Sequence, residues 1–224
     1  MDFFYPIHIP SLDSPRYFKE FTCKHFKAFV KIILNNNDDA YELFIDELIE
    51  ELCREELDIS QLTNFDKFVI MLEVRAINIS PIIEFSIPKG ENEKIDVAVD
   101  LFECLNIARS YDIQHSFDVS LGELTVTGTL PKKLVVKDWF DVSVNCITSI
   151  EVNGKKIPVC ELDDDNKKKV INQLPAPIFS KIVQQFNDQA TIMQKEHLTM
   201  FPSIDGSEDL QPVYISPVDN TMSQ

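Results

Sequence analysis

Residues 64–87 read NFDKFVIMLEVRAINISPIIEFSI, and the change of period inside them sets the fold class. Phe65, Phe68, Val69, Leu72, Ala76 and Ile79 recur three or four residues apart, which is one apolar stripe of a helix. Pro81 stops that helix, because the residue before a proline is pushed out of helical backbone. Beyond it the spacing falls to two, the pattern of a strand with one buried face. A helix and a strand therefore meet at Pro81, and the chain on either side repeats that division.

Upstream, Tyr41, Phe44, Ile45, Leu48, Ile49 and Leu52 form a second helical stripe, with Glu42, Asp46, Glu47, Glu50 and Glu51 on the other faces. The run Asn35-Asn36-Asn37-Asp38-Asp39 before it is a turn ending in residues suited to N-capping. The two helices, joined by the link at 54–63, are expected to pack as a pair. Residues 26–33 alternate Phe26, Ala28, Val30 and Ile32 with Lys27, Phe29, Lys31 and Ile33, and are read as a strand. Residues 1–20 hold Pro6, Pro10 and Pro15 and are read as an extended arm without regular structure.

Downstream, residues 82–87, 94–99, 114–119 and 123–130 are short alternating or β-branched runs, with a short helix expected over 100–109. Residues 142–152 are read as one strand that meets Asn153-Gly154 and returns over 155–159. Asn-Gly is the strongest short hairpin signal because both turn positions need positive φ. Asp163-Asp164-Asp165 followed by Lys167-Lys168-Lys169 places negative charge at a helix start and positive charge beyond it, as the helix dipole favours. Phe179, Ile182, Val183, Phe186, Ala190 and Met193 mark another helical stripe after Pro175 and Pro177. The expected architecture is α+β: an antiparallel β region flanked by an N-terminal helix pair and C-terminal helices. The expected divisions are an arm over 1–20, a single domain over 21–198 and a loosely ordered tail over 199–224 with one strand near 212–215.

Composition narrows the function. The 224 residues hold 21 Lys plus Arg against 37 Asp plus Glu, a net charge of −16, which repels a phosphate backbone or an anionic membrane. Neither nucleic acid nor membrane is expected as a partner, and no run of about 18 apolar residues occurs. Only five glycines are present, too few for the clustered loops that cradle phosphates. The opening MDFFYPIHIP lacks the basic start of a secretory signal, and Cys23, Cys53, Cys104, Cys146 and Cys160 fit neither a disulfide framework nor a zinc knuckle. Free thiols in a reducing cytoplasm are the expectation.

A search for reactive constellations returns nothing built for chemistry. His8, His25, His115 and His197 show no ligand spacing, and no serine elbow or cysteine-nucleophile signature exists. His115 near Asp112 and Asp118 is read as an ordinary strand residue rather than a metal ligand or base. The 163–165 acids lack the glycine and spaced ligands of a calcium loop. Lysines and phenylalanines interleave over 19–31, a pattern that can stack bases, but the overall acidity favours a solvated face. No catalytic residue, cofactor site or metal site is assigned, and the protein is read as not an enzyme.

The order of these features carries a resemblance. AYELFIDELIEEL, LTNFDKFVIMLEVRAINI, IEFSI, KIDVAV, LGELTVTGTLPKKL, VNCITSIEVNGKKI and VINQLPAPIFSKIVQQF follow one another as in the baseplate hub subunit and hub assembly protein family of T-even-like contractile-tailed bacteriophages. The chain resembles that family over residues 5–194, centred on 64–78 with Asp66 and Arg75 near the two ends of the helix. Some relatives carry cysteine pairs in the β stretches; residues 88–93 and the tail after His197 here hold no cysteine, so no such metal site is expected.

The resemblance implies a non-enzymatic role in building the hub at the tail tip, through contacts with other baseplate or hub proteins. It places the protein in the host cytoplasm during assembly and in the virion baseplate if it stays. Phe3, Phe4, Tyr5, Asp66 and Arg75 are the candidate contacts, with Tyr17 and Phe18 as further arm aromatics. For Asp66 and Arg75 the competing account is purely structural, an acid and a base at the helix ends that suit the dipole. The oligomeric state is open. Two other functions stay open: an acidic inhibitor that mimics nucleic acid, and a hydrolase using an acid with His115.

Overall fold

The computed structural model describes residues 3–35, 37–89, 93–110, 114–132, 139–192, 199–200 and 213–214. It has the α+β architecture expected, with helices in both the N-terminal and C-terminal parts of the chain and every described strand pair antiparallel. By internal contact the chain divides into two compact units. One comprises Met1–Ile59, Phe65–Asp112 and Ile192–Gln224, and the other Ser60–Asn64 and Ile113–Thr191.

The first unit begins with a hairpin of β1 (Phe4–Ile7) and β2 (Arg16–Lys19), in which Tyr5 faces Phe18. Residues 1–20 were expected to lack regular structure, and this hairpin corrects that. Tyr5, Ile7 and Ile9 alternate onto one buried side, so a period of two outweighs the prolines, and Pro6 sits where an edge strand tolerates it. The hairpin is tied down further by a bridge between Phe18 and Cys53 and by the Arg54 amide, which donates to the Tyr17 carbonyl at 2.8 Å.

The expected strand over 26–33 is a helix, α1 (Cys23–Leu34). The apparent alternation was broken by Phe29 and Ile33, whereas Lys24, Lys27 and Lys31 recur at helical spacing and are exposed opposite buried His25 and Phe29. The next helix, α2 (Asp38–Leu52), starts where the asparagine run predicts: the Asn37 side chain accepts from the Ala40 amide at 3.0 Å. Helix α3 (Asn64–Asn78) follows, and Phe65 through Ala76 are all buried. The chain then forms the hairpin of β3 (Ile82–Lys89) and β4 (Glu93–Asp100) and the short helix α4 (Leu101–Ser110). Far along the chain, β9 (Thr199–Met200) and β10 (Val213–Tyr214) pair with each other; the rest of the expected tail lies outside the described residues.

The second unit is built on one four-stranded sheet in sequence order: β5 (Ser116–Leu121), β6 (Leu124–Thr129), β7 (Ile147–Val152) and β8 (Lys155–Pro158). Gly122 (φ 62°) opens the β5–β6 turn, and Asn153 (φ 52°) with Gly154 (φ 75°) makes the β7–β8 turn, both in the left-handed region a tight hairpin demands. Of the strand expected over 142–152, only the second half is strand. The first half belongs to helix α5 (Trp139–Cys146), which passes into β7 without an intervening turn residue. Helix α6 (Asp164–Asn172) is capped by Asp163, which accepts from the Asn166 amide at 2.9 Å. The last helix, α7 (Ala176–Ile192), carries Pro177 in its first turn, where the missing N–H is harmless. Val126, Ile147, Ile150, Ile171, Ile178 and Phe186 form the centre of this unit's core, and the Phe117 ring meets Phe186 edge-on at 5.3 Å.

Candidate partner-contact surface

Helix α3 presents charges that a buried helix can hold only with partners from elsewhere. At its start, Asp66 is wholly buried and accepts the Ser11 amide at 3.0 Å, which holds the loop between β1 and β2. Lys67, also buried, reaches Asp46 of α2 at 2.5 Å. Nearly two turns further along, Glu73 pairs with Arg109 of α4. Burial pushes the Glu73 carboxyl above its ordinary range, and the Arg109 charge draws it back only in part. At the far end, Asn78 accepts the Phe21 amide at 2.9 Å and donates to the Tyr5 hydroxyl and the Val74 carbonyl, each at 2.7 Å. One helix thus latches four separate segments of its unit.

Arg75 lies in the last turn of α3, almost wholly buried, and donates from Nη1 to the Ser80 carbonyl at 3.0 Å. Desolvation pulls its pKa down, and its Nε finds no hydrogen-bond partner among the described residues. The carbonyl end of the helix supplies the compensating negative potential. Asp66 and Arg75 are therefore buried in this conformation and hold segments of their own chain. Tyr5 is inside as well: burial raises its hydroxyl pKa to about 12. Phe18 is fully buried.

Two of the five candidates remain outside. Phe3 is 61% exposed at the start of the hairpin. Phe4 is half-buried, with the Arg54 guanidinium 5.1 Å over its ring, a cation–π contact that fixes the ring's orientation. Tyr17, also exposed, lies on β2. The sequence reading missed Lys67, Glu73, Asn78 and Arg109. Its available signal was that charges at 66, 67, 73 and 75 interrupt an otherwise apolar helix without opposite charges three or four residues away.

The remaining chemistry is quiet. Among the described residues no group of three or more His, Cys, Asp or Glu converges as a metal site would require, and no helix is long and apolar enough to cross a membrane. His115 precedes β5, and its backbone carbonyl accepts the Leu130 amide at 3.0 Å.

These features describe an α+β protein in which buried polar side chains of α3 latch segments of the first unit. The family model described as T4 bacteriophage base plate protein matches residues 3–197, and the chain belongs to that family. It is a phage baseplate protein of the T4-like type. No curated protein and no solved structure matches it.

Proposed function

We propose that this baseplate protein works at the central hub of a contractile tail, as a hub subunit or a hub assembly factor, and acts by protein–protein contact rather than by catalysis. The family match over residues 3–197 carries the reading, together with the order of sequence features described above. Its partners are other proteins of the phage baseplate, met in the host cytoplasm during assembly. The contact residues are Phe3, exposed just before β1, and the half-buried Phe4 at its start, since aromatics held by a braced hairpin give apolar area at little ordering cost.

Quantitative mass spectrometry of purified particles beside the infected-cell lysate tests the role. A fixed ratio to tail proteins in the particle identifies a subunit, and presence in the lysate alone identifies an assembly factor. Absence from both overturns the hub reading. Replacing Phe3 by Ser tests the contact: capture of baseplate proteins should fall while thermal unfolding stays unchanged. Undiminished capture would remove Phe3 from the interface.

A further inference from the structure

The outer faces of α1 and α2 are charged in opposite senses and are written in matching order. Helix α1 carries Lys24, Lys27 and Lys31 and no acid, while α2 carries seven acids and no base. The two helices run antiparallel: Lys24 and His25 lie beside Glu51, and Phe29 packs on Tyr41 and Phe44. Opposite the buried Phe29, the exposed residues 27, 31 and 34 follow one another at i, i+4 and i+7, reading Lys, Lys, Leu. Opposite the buried side of α2, residues 43, 47 and 50 do the same, reading Leu, Glu, Glu.

Leu34 is 78% exposed and Leu43 60%, far more than large aliphatic side chains ordinarily show. Among the described residues no ion pair holds Lys27, Lys31, Glu47 or Glu50.

We propose that this α1–α2 face binds a second copy of the chain. A two-fold axis running along the hairpin, between the two helices, lays each α1 antiparallel on the other copy's α2. That arrangement sets Lys27 against the second copy's Glu50, Lys31 against its Glu47 and Leu34 against its Leu43, and it does so twice. The result is a closed four-helix contact of the commonest oligomer symmetry. The order of charges selects a second copy over other occupants, because the stripe on α1 and its complement lie side by side in one chain. The net charge of −16 weighs against an anionic lipid surface or a nucleic acid on the same lysines. It also opposes the approach of two copies at low salt. The dimer is therefore firmest near physiological ionic strength, where a Debye length of about 8 Å screens the distant charges more than the touching pairs. This proposal rests on the helix faces and not on the hub reading.

Sedimentation velocity of the full chain from about 1 to about 100 μM gives the test. Wild type should shift from monomer to dimer. The double variants Lys27→Glu/Lys31→Glu and Glu47→Lys/Glu50→Lys should each be monomeric, with association weakened by about tenfold or more. An equimolar mixture of the two should dimerise again, since each acidic α1 then faces a basic α2 and the converse. A monomeric wild type, a reversal variant that still dimerises, or open-ended oligomers would overturn the proposal. If a reversal variant fails to fold, carbodiimide cross-linking of a mixture of unlabelled and nitrogen-isotope-labelled wild type decides it. Links from Lys27 to Glu50 and Lys31 to Glu47 must join the two isotopic forms, and their confinement to one form overturns the dimer. Replacing Phe3 by Ser should leave the dimer intact whatever it does to baseplate capture.

Discussion

The Asn78 amide donates a hydrogen bond to the Tyr5 hydroxyl at 2.7 Å, joining residues 73 positions apart. With the Phe21 amide on the other side of Asn78, this closes the N-terminal hairpin onto the end of α3. Tyr5→Phe removes one hydrogen bond and should cost about 1 kcal/mol. Asn78→Ala should cost about 1–3 kcal/mol, because it strands a buried hydroxyl and a half-buried N–H. Urea unfolding measures both. The same contacts mean that deleting residues 1–15 lowers the unfolding midpoint, since it strips the buried side chains of Tyr5, Ile7 and Ile9. Partner contact at this end is therefore tested by point changes at Phe3, not by truncation.

Gly128 sits at the register shift between β6 and β7, with no room beside it. A Cβ there would run into the Phe117 ring and come within 3.0 Å of the Cys146 carbonyl. Gly128→Ala should destabilise the second unit by about 1–3 kcal/mol through overpacking. Phe117→Leu added to it should recover part of that loss, which a double-mutant cycle of unfolding free energies would reveal.

Gly154 differs in kind. Its added Cβ would meet nothing within 4 Å, yet its φ is 75°. Gly154→Ala should cost about 1–2 kcal/mol from backbone conformation alone. Asn153→Gly in the same turn should be close to neutral. Thermal unfolding of the two variants separates strain from crowding.

Acid stability should depend on Glu51 and Asp163. The hydrogen bond from His25, and secondarily the His25 and Lys24 charges, hold the Glu51 carboxyl below its ordinary value of 4.5. The Asn166 amide and side chain do the same for Asp163. A folded-state pKa below the unfolded one gives stability that is complete above the unfolded value and disappears as pH falls through the folded value. Glu73 has the opposite sign, since burial raises it and proton uptake below its unfolded value favours the folded form. Glu51→Gln with Asp163→Asn should therefore flatten the acid limb of stability below about pH 5. An unchanged acid limb would mean that other carboxylates set it.

What the sequence made legible was local. The stripe of α2, the Asn37 cap, the stop at Pro81 and the Asn153-Gly154 turn each depend on residues within one or two turns of one another. Helix α1 was misread because its bulky residues imitate alternation, although Lys24, Lys27 and Lys31 kept helical time. The start of β7 was hidden because α5 runs into it with apolar residues on both sides of the boundary. The latches on α3 escaped for a different reason: Ser11 and Asp66 lie 55 residues apart, and Glu73 and Arg109 lie 36 apart. Periodicity marks which face is buried and says nothing of which distant segment arrives there. Asp66 and Arg75 were named from the sequence as candidate contacts, and the fold turns both inward.

Burial of two thiols gives the molecule a built-in clock. Cys104 in the first unit and Cys146 in the second are buried, and desolvation pushes both pKa values up to about 12. Cys23 and Cys160 stand exposed. Alkylating reagents consume thiolate, so the exposed pair reacts at once, while Cys104 and Cys146 wait for their own unit to open. The delay of each later mass increment then reports the opening of one unit at a time, with no probe engineered into the chain.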